Sequence, residues 1–202
     1  MGIWLAEAPL VLASRSASRR AVLGAAGIPL EVAPADIDER GVEAEAGTQP
    51  PATVAQLLAR AKALAAAAKL PGRLVVGADQ TLALGSALFT KPADASAARA
   101  QLKRLRGRTH ELHSALALVR DQGIVFQCCE TARLTMRHFS DGFLDSYLEA
   151  AGPAVTASVG AYQVEGLGIE LFERIDGDHF TILGLPLLPL LNYLRREGSL
   201  AA

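Results

Sequence analysis

Three serines and two arginines crowd one short segment, LASRSASRR, in which Ser14, Ser16 and Ser18 lead into Arg19 and Arg20. The segment follows the apolar run PLVL and precedes AVLGAAGI, so it reads as the turn from a buried strand into a short helix stopped at Gly27. The first backbone N–H groups of a helix lack partners and the helix dipole is positive there. Serine hydroxyls cap such groups and guanidinium forks bind oxyanions, so the turn has the ingredients of a phosphate site. The same residues would also serve simple helix capping with solvated arginines. No GxxxxGK[ST] pattern occurs, which excludes a P-loop nucleotide hydrolase.

Lys62 lies in ATVAQLLARAKALAAAAK, residues 52–69, where the alanine content predicts the clearest helix of the chain. It follows Val54 and Leu58 at successive i+4 steps, which puts a cation on the stripe that should face the core. A lysine there snorkels, pairs or meets a ligand. Asp79 ends the VVGAD strand, at the kind of strand terminus where ligands collect in open α/β sheets. Its carboxylate could activate water, hold a cation or cap a turn. Asp36, Asp38 and Glu39 form an acidic set in ADIDER, and the RGVEAEAGTQPP stretch that follows reads as an exposed, mobile loop. Lys91 precedes a proline in TKPAD and is biased toward an extended backbone, which suits a fixed phosphate ligand or an ordinary surface lysine. His110, His113, His138 and His179 have no metal-ligand spacing and no HExxH is present, so they are assigned no chemistry. Several cations, a helix N-terminus and carboxylates able to bring a divalent metal share one use: a polyphosphate attacked by water.

The elements that must position these groups are legible in outline. Half of the 202 residues are hydrophobic, enough for a sizeable core in one α/β unit or two closely packed lobes. After the Asp79 strand, TLALGSALF reads as a hairpin and DASAARAQLKRLRG as an amphipathic helix closed by Gly107. ELHSALALV, GIVFQCCETARLTMRHF and the region of GAYQVEGLGIELFERI read as strands, and DGFLDSYLEAAG and PLLPLLNYLRRE as helices. Leu187, Leu188, Leu191 and Leu194 are most simply core. Strands alternate with helices and hairpins, without repeats or a long linker, which predicts a single domain over 1–202 with a mixed sheet.

With 20 Lys+Arg against 21 Asp+Glu, the net charge of −1 gives no general attraction for nucleic acid or acidic membranes, so an anion site must be local. Cys128 and Cys129 are adjacent and would face opposite sides of a strand, which fits neither a disulfide framework nor a zinc site. The N-terminus lacks a basic n-region, and ILGLPLLPLL is too short and proline-rich for a membrane span, so the expected location is cytoplasmic.

Together, LASRSASRR, DIDER, ARAKA, VVGADQT, TKP, GRTHE, GAYQVEGLGIELFERI and GLPL resemble the Maf nucleoside triphosphate pyrophosphatases, also called septum formation inhibitors. The stretches occur in the family's order over nearly the whole chain. The resemblance implies a Maf/ITPase-like α/β fold, a mixed central sheet flanked by helices with two lobes around a cleft, often as a homodimer. It implies hydrolysis of a nucleoside triphosphate to the monophosphate and pyrophosphate with a divalent cation, Mg²⁺ or Mn²⁺. Carried over by residue, it makes Asp79 the proton acceptor for the attacking water, Ser14, Arg19, Lys62 and Lys91 triphosphate contacts, and Glu39 with Asp79 the metal ligands.

The family's specificity positions fall at Ser18, Gln80 and Glu165. Members acting on dTTP and UTP carry Arg, Thr and Gln there; those acting on 7-methyl-GTP carry Trp, Gln and Glu. Gln80 and Glu165 therefore resemble the second group, and an acidic Glu165 suits a cationic methylated guanine. Ser18 lacks that group's aromatic platform. The chain also departs from the family pattern at Ala17, Ala61 and Thr90, where Pro, Glu and Gly are usual. The resemblance thus leaves two further readings: a dTTP/UTP pyrophosphatase, or a weakly catalytic nucleotide-binding regulator of septum formation.

Overall fold

The computed structural model describes residues 2–202. Its order is β1 (Leu10–Leu12), α1 (Ala17–Ala25), β2 (Leu30–Val32), α2 (Glu39–Ala46), α3 (Pro51–Ala67), β3 (Val75–Leu84) and β4 (Ala87–Phe89). There follow α4 (Ala95–Leu105), β5 (Thr109–Arg120), β6 (Gly123–Met136), α5 (Asp141–Ala151), β7 (Phe172–Asp176), α6 (His179–Ile182) and α7 (Leu187–Arg196). The seven strands form one sheet in the order β2-β1-β3-β5-β6-β7, with β4 paired to β3. β1 runs parallel to β2 and β3, whereas β3–β4 and β6–β7 are antiparallel, so the sheet is mixed as the alternating pattern predicts.

Two compact units divide the chain. The first gathers the chain up to Gln80 with Ser114–Glu130 and Asp178–Ala202; the second gathers Thr81–His113 and Thr131–Gly177. In the first, strand alternation sends Leu10, Leu12, Val76, Ala78, Leu116 and Leu118 to one face of the sheet, where α1 and α7 cover them with Leu23, Leu187, Leu190 and Leu194. Val11, Ala13, Val75, Ala117 and Val119 turn to the other face, against Ala63, Ala66 and Ala67 of α3. Cys128 and Cys129 follow the same rule, packing on opposite faces as free thiols. Gly77 lets α3 sit close: a Cβ there would lie 2.3 Å from the Ala59 carbonyl oxygen and 2.5 Å from the Ala63 nitrogen.

The second unit is built on Leu82, Leu102, Leu105, Leu112, Leu134 and Met136, all essentially buried. It also holds a buried histidine, His110, whose Nε2 lies 2.8 Å from the Tyr162 hydroxyl. Phe172 packs beside both rings.

Four expectations are corrected. RGVEAEAGTQPP is not a loop at its start: Asp38 accepts from the Gly41 N–H at 3.0 Å and caps α2, which carries Glu39 as its first residue. The GAYQVEGLGIEL region forms short 3₁₀ turns, and only Phe172–Asp176 is extended. Gly160 and Ala161 are both left-handed (φ 79° and 63°), a backbone that no strand accommodates. Leu188 is 52% exposed, and the buried face of α7 is instead Leu187, Leu190 and Leu194. Finally, Asp79 lies in the middle of β3. Its parallel neighbour β1 ends opposite Val76, so Asp79 stands beyond the carboxyl end of β1 while its own strand continues into the β3–β4 hairpin.

Candidate functional site

Where β1 stops, the chain turns through Ser14 into α1. Ser16 is the N-cap, accepting from the Arg19 N–H at 3.3 Å, and the Ser14 hydroxyl accepts from the Ser16 N–H at 3.2 Å. Arg19, one turn into the helix, is folded back on this loop. Its Nη1 donates to Ser14 Oγ at 3.2 Å and its Nε to the Gly184 carbonyl at 2.8 Å. Burial pulls the Arg19 pKa down, while the Asp79 and Glu39 carboxylates pull it up. A guanidinium stays charged under that contest, so the turn holds a permanent, partly desolvated cation.

Lys62 resolves the three readings that its sequence position allows. Its ammonium bonds the Asp79 carboxylate and also lies 2.9 Å from Glu39 Oε1. The side chains of Lys62 and Asp79 are each 12% exposed, against 55% for Glu39, so one carboxylate is held inside and the other reaches in from solvent. Strand parity explains the inner pair: Val75, Gly77 and Asp79 share the face on which α3 lies, and Lys62 is on α3 beside the Gly77 contact. Glu43, one helical turn beyond Glu39, adds a further charge. Partial burial and the nearby Asp79 and Glu39 raise its pKa, with Lys62 and Arg40 opposing.

Ser14, Arg19, Glu39, Lys62 and Asp79 thus come together in the first unit. Ser18 is the second residue of α1. Gln80 faces the other side of the sheet from Asp79, and its Nε2 donates toward Ser114 Oγ (2.9 Å), the Ile182 carbonyl (3.0 Å) and the Thr181 carbonyl (3.1 Å). Lys91 and Glu165 both belong to the second unit, Lys91 exposed between β4 and α4 and Glu165 exposed among the 3₁₀ turns. Ser114, Thr181 and Glu43 carry no role in the reading of the sequence, and Gly184 enters it only as the first residue of GLPL. A lone serine inside the apolar run of β5 was the available signal for the first of them.

Among the described residues no group of three or more His, Cys, Asp or Glu could hold a metal ion alone. Glu39 and Asp79 offer hard carboxylate oxygens from two elements around one point. That donor set fits a cation such as Mg²⁺, which takes one or two carboxylates and completes its shell with water and phosphate oxygens.

A family profile described as Maf-like protein matches residues 9–197. A "Nucleoside triphosphate pyrophosphatase" of Rhodopseudomonas palustris (strain BisB18) is 59% identical over 201 residues, covering 100% of both chains. A protein of the same name from Bradyrhizobium diazoefficiens is 56% identical over 201 residues, again covering 100% of both. A "7-methyl-GTP pyrophosphatase" of Brucella abortus biovar 1 is 54% identical over 191 residues, 93% of this chain and 96% of that protein.

Proposed function

The chain belongs to the Maf family, and on that premise we propose that it hydrolyses a nucleoside triphosphate to the monophosphate and pyrophosphate, with 7-methyl-GTP as the favoured substrate. The observation that carries the reaction is the meeting of Lys62 with Asp79 and Glu39 beside Arg19. Two cations face the place where two carboxylates converge, which is the charge pattern a triphosphate and its water nucleophile require.

Asp79 accepts a proton from a water as its oxygen attacks the α-phosphorus; the Pα–O bond to the β-phosphate breaks and pyrophosphate leaves. Arg19 presents its outer N–H groups to the phosphate oxygens, with Ser14 and Gly184 fixing the direction of the fork. Lys62 has three donors, two of them directed at Glu39 and Asp79, and the third serves a phosphate oxygen. A divalent cation, Mg²⁺ or Mn²⁺, would be held by Glu39 and Asp79 and would neutralise charge on the triphosphate there. Lys91 supplies a further phosphate contact in this reading. Glu165, by its acid charge, favours a cationic methylated base, in keeping with the Brucella relative.

Pyrophosphate release from 7-methyl-GTP, dTTP, UTP and the common triphosphates, with Mg²⁺ or Mn²⁺, tests the proposal. Turnover should be highest on 7-methyl-GTP, and Asp79→Asn should lower it by about 10²- to 10⁴-fold. Unchanged turnover in that variant would remove Asp79 as the base, and a dTTP or UTP preference would overturn the substrate assignment.

A further inference from the structure

The Gln80 side chain has a neighbourhood that base recognition does not require. Adjacent residues of a strand point to opposite faces, so Gln80 cannot share the face on which Asp79 meets Lys62. Its amide nitrogen instead meets three acceptors: Ser114 Oγ and the backbone carbonyls of Thr181 and Ile182. Ser114, wholly buried on β5, closes the group by donating to the Thr181 carbonyl at 2.6 Å. Two side chains from two strands therefore grip one short turn.

That turn is Asp178–Gly184. Asp178 caps α6 by accepting from the Thr181 N–H at 2.8 Å, and Gly184 leaves the helix with a left-handed backbone, φ 90°. The Gly184 carbonyl accepts from Arg19 Nε. Packing is tight at this point: a Cβ on Gly184 would lie 3.4 Å from Arg19 Nη2 and 3.8 Å from the Gln80 side-chain carbon. Gln80 and Ser114 set where the turn sits, the turn sets where the Gly184 carbonyl sits, and that carbonyl aims the Arg19 fork.

We propose that Gln80 and Ser114 are positioning residues, a latch on the Asp178–Gly184 turn that orients the Arg19 guanidinium for phosphate. The inference rests on Arg19 as a phosphate ligand. A fork displaced by an ångström loses aligned hydrogen bonds, and such misplacement costs about 10²-fold in rate. Gln80→Glu keeps the size but turns a donor into an acceptor facing three oxygens; Ser114→Ala removes the donor to Thr181.

The test measures kinetics over the nucleotide panel and, by calorimetry, affinity for inorganic tripolyphosphate, a probe with no base. Both variants should lose about 10- to 100-fold in kcat/KM, Ser114→Ala by the same factor on every nucleotide, and weaken tripolyphosphate binding in parallel. Ser114→Thr, which keeps the hydroxyl, should restore both. In an Arg19→Gln background neither latch variant should cause further loss, because all act through one interaction. An altered nucleotide ranking in Gln80→Glu with tripolyphosphate affinity intact would overturn the proposal, and so would losses that multiply with Arg19→Gln. A protein that releases no pyrophosphate yet binds tripolyphosphate, less tightly in both variants, would sink the hydrolase reading and uphold the latch.

Discussion

At the scale of single residues, charge and burial meet in opposite ways at two points. Lys62 is a cation on an apolar helix face, stabilised by two carboxylates rather than by reaching solvent. His110 is the opposite case, a base kept neutral. It is 1% exposed, its Nδ1 has no partner, and burial pushes its pKa down to about 4. An unfolded histidine takes up its proton below about pH 6.5, whereas this one resists until about pH 4, so the unfolded state binds more protons across that window. The stability tied to His110 is complete above pH 6.5 and declines as pH falls toward 4, by an order of about 3 kcal/mol over the full window. His113, pulled down mainly by burial, acts in the same direction. Urea unfolding at half-unit steps from pH 7.5 to 4.5 should show this acid limb, and His110→Gln should flatten it. An unmodified protein equally stable at both ends would contradict the assignment.

At the scale of elements, the contact between α3 and β3 sets the geometry of the inner ion pair. Five alanines on the buried side of α3 and Gly77 on β3 remove the side chains that would hold helix and strand apart. Gly77→Ala places a methyl group against the helix backbone, which cannot yield as a flexible side chain can. The substitution should cost at least about 1–3 kcal/mol, as overpacked cores do. A thermal melt should show it as a fall of about 2–4 °C per kcal/mol for a chain of this size. Lys62 would be lifted from Asp79 with the helix, so turnover should fall more than the loss of folded protein explains. An equally stable, fully active variant would mean that α3 does not set the Lys62–Asp79 pairing. On the other side of the site, α2 is short and depends on its cap, and it delivers Glu39 only because Asp38 starts the helix one residue earlier.

At the scale of the whole molecule, a net charge of −1 means that attraction for a polyanion comes from the Arg19 and Lys62 cluster rather than from a general field. Binding there should stabilise the fold by mass action. In Asp79→Asn, which should bind without rapid hydrolysis, triphosphate at about 100 times its Kd adds about 2.7 kcal/mol. That corresponds to a rise of about 5–10 °C in Tm, growing with the logarithm of ligand concentration. No rise at saturating 7-methyl-GTP with Mg²⁺ would mean that the cluster is not the triphosphate site. The chain spans the full length of its Rhodopseudomonas palustris and Bradyrhizobium diazoefficiens relatives.

Features set by near neighbours in the chain were legible before any coordinates. The serine turn between β1 and α1, the helix carrying Lys62 on its buried stripe, the β3–β4 hairpin and the mixed sheet all follow from periodicity, turn chemistry and capping, which act over a few residues. Asp79 and Lys62 were each conspicuous, but their pairing was not, because it depends on how closely α3 packs on β3. The start of α2 was hidden by a composition of Gly, Pro and acids in which one cap outweighs the average. The reach from Arg19 to Gly184 spans 165 residues of sequence. No local pattern encodes such a contact: it exists because β1, β3 and β5 pair side by side and α6 is held at their ends, and only the summed burial of the folded chain decides that arrangement.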